Sequence, residues 1–137
     1  MNYRFGHFND KEQILSLYHS VGWTEYTDDP SKLFRALQNS LDILTVWNNT
    51  ELVGLIRVIG DGETILYIQD LLIKPDYQNQ GLGSILLQKM VDRYQNVRQK
   101  LLITDNTNKT NSFYEKNGFV KTDYLNLNCY YFRGILK

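Results

Sequence analysis

The 137-residue chain has one cysteine, two prolines and two histidines, and its fifteen basic residues are matched by fifteen acidic ones. Each scarcity removes a class of function. A lone Cys129 forms no internal disulfide, so the fold does not depend on an oxidising compartment. A thiol-based zinc site is excluded by count, and no metal is expected. His7 and His19 lie far from Cys129 in sequence and match no Cys–His pattern. Cys129, inside the strand-like run NCYYFRGIL, therefore reads as a packed small hydrophobe, with a nucleophile as the alternative. A formal charge of zero argues against nucleic-acid and membrane-surface partners, because phosphate-tracking proteins carry a clear excess of Lys and Arg. No run approaches the roughly 18 apolar residues of a membrane-spanning helix, and MNYRFGHFNDKEQ has no apolar signal core. The cytoplasm is the expected location. Repeats and low-complexity linkers are missing too, which leaves one domain over residues 1–137 with enough apolar content for a full core.

What is present is a change of period along the chain. Residues 2–8 alternate as a strand, with Tyr3, Phe5 and His7 on one face. Asp10 is a good N-cap for a helix carrying Ile14, Leu15 and Tyr18, and Asp29-Pro30 opens a second helix with Leu33, Phe34 and Leu37 on its apolar side. The period then becomes two. DILTVWN and ELVGLIRVIG read as a hairpin turning at Asn48 and Asn49, and Asp61-Gly62 turns the chain into TILYIQDLLIKP. Residues 81–95 return to helical spacing, with Leu82, Ile85, Leu86 and Met90 in one stripe widened by Leu87, Val91 and Tyr94. KLLITD is a short strand, and NKTNSFYEKNGF a helix ending at a left-handed Gly118. FVKTDYL and CYYFRGIL read as two closing strands. The expected order is βααβββαβαββ, an α+β domain on one mostly antiparallel sheet. The link from LYIQDLLI to LLITD is long enough for a parallel crossover.

The stretch PDYQNQGLGSILLQKM places Gly81 and Gly83 where a helix must nucleate, although glycine costs about 1 kcal/mol against alanine in a helix interior. A Walker-type loop needs Gly-Lys-Ser/Thr, and Gly83-Ser84 lacks the lysine. A dinucleotide fingerprint needs a third glycine where Leu86 stands. What remains is Gln78-x-x-Gly81-x-Gly83 between a strand end and a helix start. One reading is an anion site, since the first helical N–H groups lack intrahelical partners and glycine lets a phosphate approach the backbone. The other is a tight strand-to-helix turn.

That loop, Gln78-Asn79-Gln80-Gly81-Leu82-Gly83, followed about thirty residues on by Phe113-Tyr114-Glu115-Lys116-Asn117-Gly118-Phe119, resembles the GCN5-related N-acetyltransferase (GNAT) family over nearly the whole chain. The resemblance implies the GNAT-type acyl-CoA acyltransferase fold, a mixed, mostly antiparallel sheet flanked by helices. It also implies acetyl-CoA (coenzyme A) as cosubstrate, its pyrophosphate on backbone N–H groups from about Asn79 through Gln80, Gly81, Leu82 and Gly83 to Ser84. The pantetheine arm would pair with the end of the strand through Leu71, Leu72 and Ile73, whose N–H groups would also polarise the thioester carbonyl. Where many relatives carry an asparagine seven residues before the tyrosine, this chain has Thr107, between Asn106 and Asn108.

The chemistry so implied is acetyl transfer to an amine. Tyr114 is the candidate general acid for the leaving thiolate, a packing tyrosine being the alternative. Asp70 interrupts an apolar strand. It is either a base or attractor for a cationic amine, or the partner of Arg57 or of a backbone group. The loop YHSVGWTEYTDDP supplies Tyr18, Trp23 and Tyr26 as acceptor-pocket residues, with Glu25, Asp28 and Asp29 for negative charge. The competing reading has Trp23 and Tyr26 closing the core. Aromatic plus acidic residues suit a small amine, a polyamine or a protein amino group. A non-catalytic acyl-CoA-binding sensor is the alternative function, and edge strands near Cys129 offer a surface for a homodimer.

Overall fold

The computed structural model describes residues 1–134. The chain divides into two compact units, Met1–Thr104 and Asp105–Lys137.

In the first unit, β1 (Asn2–Phe5) is followed by α1 (Lys11–Ser20), which starts where Asp10 accepts the Gln13 N–H at 3.2 Å. A single turn, α2 (Thr24–Thr27), precedes α3 (Pro30–Gln38), which begins with Pro30 in its first turn and Asp29 accepting the Lys32 N–H at 3.3 Å. Three strands follow, β2 (Asp42–Asn48), β3 (Glu51–Gly60) and β4 (Ile65–Ile73). The β3–β4 turn is set by Asp61, which accepts the N–H groups of Glu63, Thr64 and Ile65 at 2.8–3.0 Å. A 3₁₀ turn (Pro75–Tyr77) leads to α4 (Leu82–Arg93) and then β5 (Gln99–Leu102).

The sheet runs β1-β2-β3-β4-β5, antiparallel except for the parallel β4–β5 pair that α4 connects. β2 and β3 are buried almost end to end, so both of their faces need cover. Ile14, Leu17 and Tyr18 of α1 and Leu33 and Leu37 of α3 form one core with Ile43, Leu55 and Leu72. Leu44, Val46, Ile56 and Val58, which alternate with those sheet positions, are also buried. α4 packs on β2, β3 and β4 and buries Leu82, Leu86, Leu87 and Met90, giving a helix–sheet–helix sandwich. Ile85, expected on that stripe, is 40% exposed. The far end of α4 is tied down by buried Asp42, which accepts from Tyr94 Oη at 2.8 Å and pairs with Arg93 Nε at 3.0 Å.

The second unit holds α5 (Asn108–Lys116) and a 3₁₀ turn (Thr122–Leu125). α5 is capped by Thr107, which accepts the Thr110 N–H at 3.2 Å, and ends at Gly118 with φ +93°. Phe119 N–H returns to Tyr114 C=O at 3.0 Å, the C-terminal closure that a left-handed glycine permits.

Three expectations are corrected. Cys129, expected as a packed small hydrophobe, is exposed. The N-terminal region has three helices instead of two, because TEYT closes one turn by itself. The two closing strands do not form among the described residues: 122–125 is a 3₁₀ turn and 126–134 has no regular structure. Alternation in FVKTDYL and CYYFRGIL gives a capacity for strand, but a strand exists only with a ladder partner, and the sheet contains none for them. Ile135 and Leu136 of the second run lie outside the described residues.

Candidate active site

β4 carries two different halves. Its first half pairs with β5 from Ile65↔Gln99 to Ile68↔Leu102, and there that ladder stops. From Asp70 to Ile73 the strand stays paired to β3 on one side while no strand flanks its other side among the described residues. The change coincides with a bulge: Arg57 opposes Asp70 and Val58 opposes Ile68, so Gln69 is the extra residue. A bulge bends its strand away from a straight ladder, and the split leaves backbone hydrogen-bonding groups beside Leu71, Leu72 and Ile73. Leu72 is held in the core, while Leu71 and Ile73 are half-buried.

The glycine loop follows directly. Gln78 Nε2 donates to Ile73 C=O at 2.9 Å, which ties the loop to the open end of β4. Asn79 and Gly81 both take left-handed φ, +63° and +81°. Gly81 is the N-cap of α4, and no side chain caps that helix; the Ile85 N–H bond to Gly81 C=O, at 3.1 Å, is its first. The N–H groups of Leu82 and Gly83 therefore lie ahead of the helical ladder, at the positive end of the macrodipole. A Cβ built on Gly81 meets nothing within 4 Å, so no neighbour requires glycine there, and φ alone does. Beneath the loop, Lys74 Nζ donates to Ser16 Oγ and Glu51 Oε2 at 3.0 and 3.1 Å, and Tyr77 Oη donates to Glu51 Oε1 at 3.0 Å. Lys74 and Tyr77 hold the Glu51 carboxyl below its ordinary range. Sequence reasoning missed this brace because its members are scattered through α1, β3 and the turn.

Asp70 occupies the pairing alternative. It is 3% exposed, and its Oδ2 accepts from Arg57 Nε at 2.8 Å and Tyr18 Oη at 3.0 Å. Its Oδ1 accepts from Tyr26 Oη at 2.7 Å. Arg57 spends its remaining donors on Ala36 C=O, Ser40 Oγ and Tyr26 Oη at 3.3–3.4 Å. Burial disfavours the guanidinium charge, but the Asp70 carboxylate outweighs it and the pKa is raised. Tyr18 has no exposed surface and reaches no solvent, and burial followed by the Asp70 charge pushes its phenol well up. Tyr26 is half-buried, with its phenol raised by burial and by the bond to Asp70. Tyr18, Trp23 and Tyr26 form a ring cluster with centroids 5.1–6.1 Å apart, Trp23 and Tyr26 packing on the core. Of the three, Tyr26 brings a hydroxyl towards the β4 split: Gln69 Nε2 approaches it at 3.5 Å. Gln69 was not singled out from sequence, although its place beside Asp70 in the broken apolar run was a usable signal.

Tyr114 belongs to the second unit. On α5 it stacks edge-on with Phe113 and Phe119 at 5.0 and 5.9 Å. Burial, then the Asp105 carboxylate, pushes its phenol up to about 12. Thr107 is spent on the helix cap. Among the described residues no group of three His, Cys, Asp or Glu side chains is placed to hold a metal ion, and no helix is long and apolar enough to cross a membrane.

Comparison with known proteins identifies the family and the fold. Residues 39–121 match the family model described as an acetyltransferase (GNAT) domain. An uncharacterized N-acetyltransferase, ycf52, of Pyropia yezoensis is 29% identical over 113 residues, 80% of this chain and 64% of the relative. The chain thus spans less than two thirds of the length of the curated relatives it matches. A GNAT-family acetyltransferase from Streptococcus pneumoniae TIGR4 superposes with a TM-score of 0.87 at 32% identity, covering 97% of each chain. The PaiA N-acetyltransferase of Thermoplasma acidophilum, solved in complex with coenzyme A, shares the fold with a TM-score of 0.65 at 20% identity over 88% of this chain and 91% of that one.

Proposed function

Because the chain belongs to the GNAT family of acetyltransferases, we propose that it transfers an acetyl group from acetyl-CoA to an amine by direct attack within a ternary complex. The observation that carries the reading is the uncapped start of α4 immediately beyond the unpaired half of β4. Together they offer an anion cradle and a strand edge, which is what a pyrophosphate joined to an amide-bearing arm requires. That the PaiA structure holds coenzyme A supports the same assignment. The family match runs across both compact units and supports reading 1–137 as one N-acetyltransferase domain.

In this reading the N–H groups from Asn79 to Ser84 take the pyrophosphate, with Gln78 bracing the loop and Gln80 and Leu82 contributing main chain. Leu71, Leu72 and Ile73 present backbone to the pantetheine arm. Acetyl-CoA supplies the activated thioester, and an N–H of that strand polarises its carbonyl oxygen. As the new C–N bond forms and the C–S bond breaks, the Tyr114 hydroxyl gives its proton to the departing sulfur, and the proton that the acylated nitrogen sheds passes through solvent to restore the phenol. A phenol held up to about 12 is fully protonated before each turnover.

Asp70 acts as a positioning residue. Its carboxylate is occupied by Arg57, Tyr18 and Tyr26, so it reaches an acceptor through Tyr26, whose hydroxyl hydrogen it fixes and whose oxygen would exchange its 3.5 Å contact with Gln69 Nε2 for an amine. Trp23 and Tyr26 wall the acceptor side, and Tyr18 supports them from within. The test is thermal-shift binding of acetyl-CoA followed by thiol release across a panel of small amines, polyamines and peptide amino groups. Binding with turnover on at least one amine is expected. Binding with no turnover on any would replace the transferase with a sensor.

A further inference from the structure

We propose that the acceptor site selects weakly basic amines, such as the α-amino group of a peptide, over lysine side chains and polyamines. The inference rests on the acetyl-transfer reading of this site and narrows its substrate class.

Charge is already balanced at the β4 bulge before an acceptor arrives. Asp70 and Arg57 pair at 2.8 Å with side chains 2% and 5% exposed, so one negative and one positive charge cancel out of reach of water. Both Asp70 oxygens are engaged, Oδ2 by Arg57 and Tyr18 and Oδ1 by Tyr26. Burial and the Asp70 carboxylate hold both tyrosines in their neutral, protonated form. What remains within reach of solvent is the half-buried Tyr26 hydroxyl and the exposed side-chain amide of Gln69, 3.5 Å apart. Both are neutral.

The acidic residues of the adjoining loop are committed elsewhere. Glu25 and Asp28 are exposed, and Asp29 accepts the Lys32 N–H as the cap of α3. Glu25 directly precedes Tyr26, and consecutive helical residues do not face each other. The ionisable side chains that do reach the Tyr26 hydroxyl are Asp70 of β4 and Arg57 of β3, while Tyr18 of α1 meets its ring with centroids 5.1 Å apart.

An ammonium at this face gives up hydration and meets dipoles in place of a counter-charge. Its proton has no carboxylate to go to, because protonating Asp70 would strand the buried guanidinium. The acceptor therefore binds from the neutral fraction in solution. At pH 7.5 that fraction is about a third for an α-amino group and roughly one in 800 for a lysine side chain, a ratio of about 250. The more basic amine is the better nucleophile, and with the slope of about 0.4–0.5 known for thiols this offsets on the order of 10–20-fold. A preference of about tenfold or more remains.

The experiment compares two peptides of one sequence. One has a free α-amino group and an acetylated lysine, the other an acetylated N-terminus and a free lysine, and spermidine serves as the polyamine. Thiol release, with mass spectrometry to locate the acetyl group, gives kcat/KM at pH 7.5. The α-amino peptide is expected to exceed the other two by at least tenfold. Gln69→Glu, which adds a carboxylate beside the Tyr26 hydroxyl, should narrow that preference by up to about fivefold, the worth of an exposed ion pair. A ratio of two substrates is a readout that partial unfolding would not move. Turnover of the lysine peptide or spermidine within tenfold of the α-amino peptide overturns the proposal and leaves acetyl transfer standing, and so does a preference that Gln69→Glu leaves unchanged. Binding of acetyl-CoA with no turnover on any amine removes the transferase reading itself, and this selectivity with it.

Discussion

Gly81→Ala separates strain from binding. Gly81 sits at φ +81°, and a methyl group there meets no protein atom within 4 Å, so the folded state bears only the left-handed backbone of a non-glycine residue, about 1–2 kcal/mol. Loss of unfolded-chain freedom offsets roughly 0.4–1 kcal/mol of that, leaving a net cost near 1 kcal/mol and a fall in Tm of about 3–6 °C. The space the methyl enters is the approach to the α4 N–H groups. Forfeiting one hydrogen bond to a charged oxygen costs about 1.5–3 kcal/mol, roughly ten- to hundredfold in Kd. Gly22→Ala is the matched control, since Gly22 has φ +75° with nothing within 4 Å of its built Cβ, and it lies between α1 and α2. Urea denaturation should show similar losses for the two variants, and calorimetric titration with coenzyme A should show the affinity loss for Gly81→Ala only. Equal coenzyme A affinities in the two variants would refute the assignment of the α4 N-terminus as an anion cradle.

The Arg57–Asp70 pair is buried on both sides, so Asp70→Asn, which leaves the guanidinium uncompensated, should cost about 3 kcal/mol or more, and Arg57→Met with Asp70→Asn should cost less than the two single changes summed; urea titrations in a double-mutant cycle measure this, and additive costs would contradict it. Tyr26→Phe keeps the ring and removes the hydroxyl, and is expected to raise KM for the amine more than it lowers kcat; the reverse split in steady-state kinetics would remove Tyr26 from acceptor binding. Tyr114→Phe should lower turnover at least tenfold while leaving coenzyme A affinity within about twofold, the signature of a group acting in the transition state. With the Tyr114 phenol raised from 10.0 to about 12 in the folded chain, folding favours its protonated form: that stabilisation is complete below pH about 10 and is lost as pH rises towards 12. The phenolate absorbance that disappears in Tyr114→Phe should accordingly have its midpoint near 12, and a midpoint near 10 would count against the burial argument.

Local signals in the sequence carried far. Asp10, Asp29 and Gly118 announce helix ends because a cap is satisfied by residues three or four positions away, and the structure has all three. The parallel β4–β5 pairing was legible in the length of the crossover. The single turn α2 escaped because no side chain caps its start and four residues give no periodicity. The pairing of Asp70 with Arg57 was an open alternative in sequence, since a carboxylate in an apolar run has the same appearance whether it serves an amine or a guanidinium thirteen residues away. The Glu51–Lys74–Tyr77 brace was invisible for a related reason: tertiary hydrogen bonds depend on register, which no single strand specifies. The closing strands failed from the opposite side, their pattern being right and their partner absent from the sheet.

The carboxylate of Asp42 holds α4 by its last turn, through Arg93 and Tyr94. A helix clamped at its tail and packed along its length is a fixed post, so whatever arrives at its head finds a rigid target. Adjustment is left to residues 75–81, with their two left-handed bends at Asn79 and Gly81. A ligand meeting the head of α4 would therefore find a helix whose position is already set by the sheet beneath it.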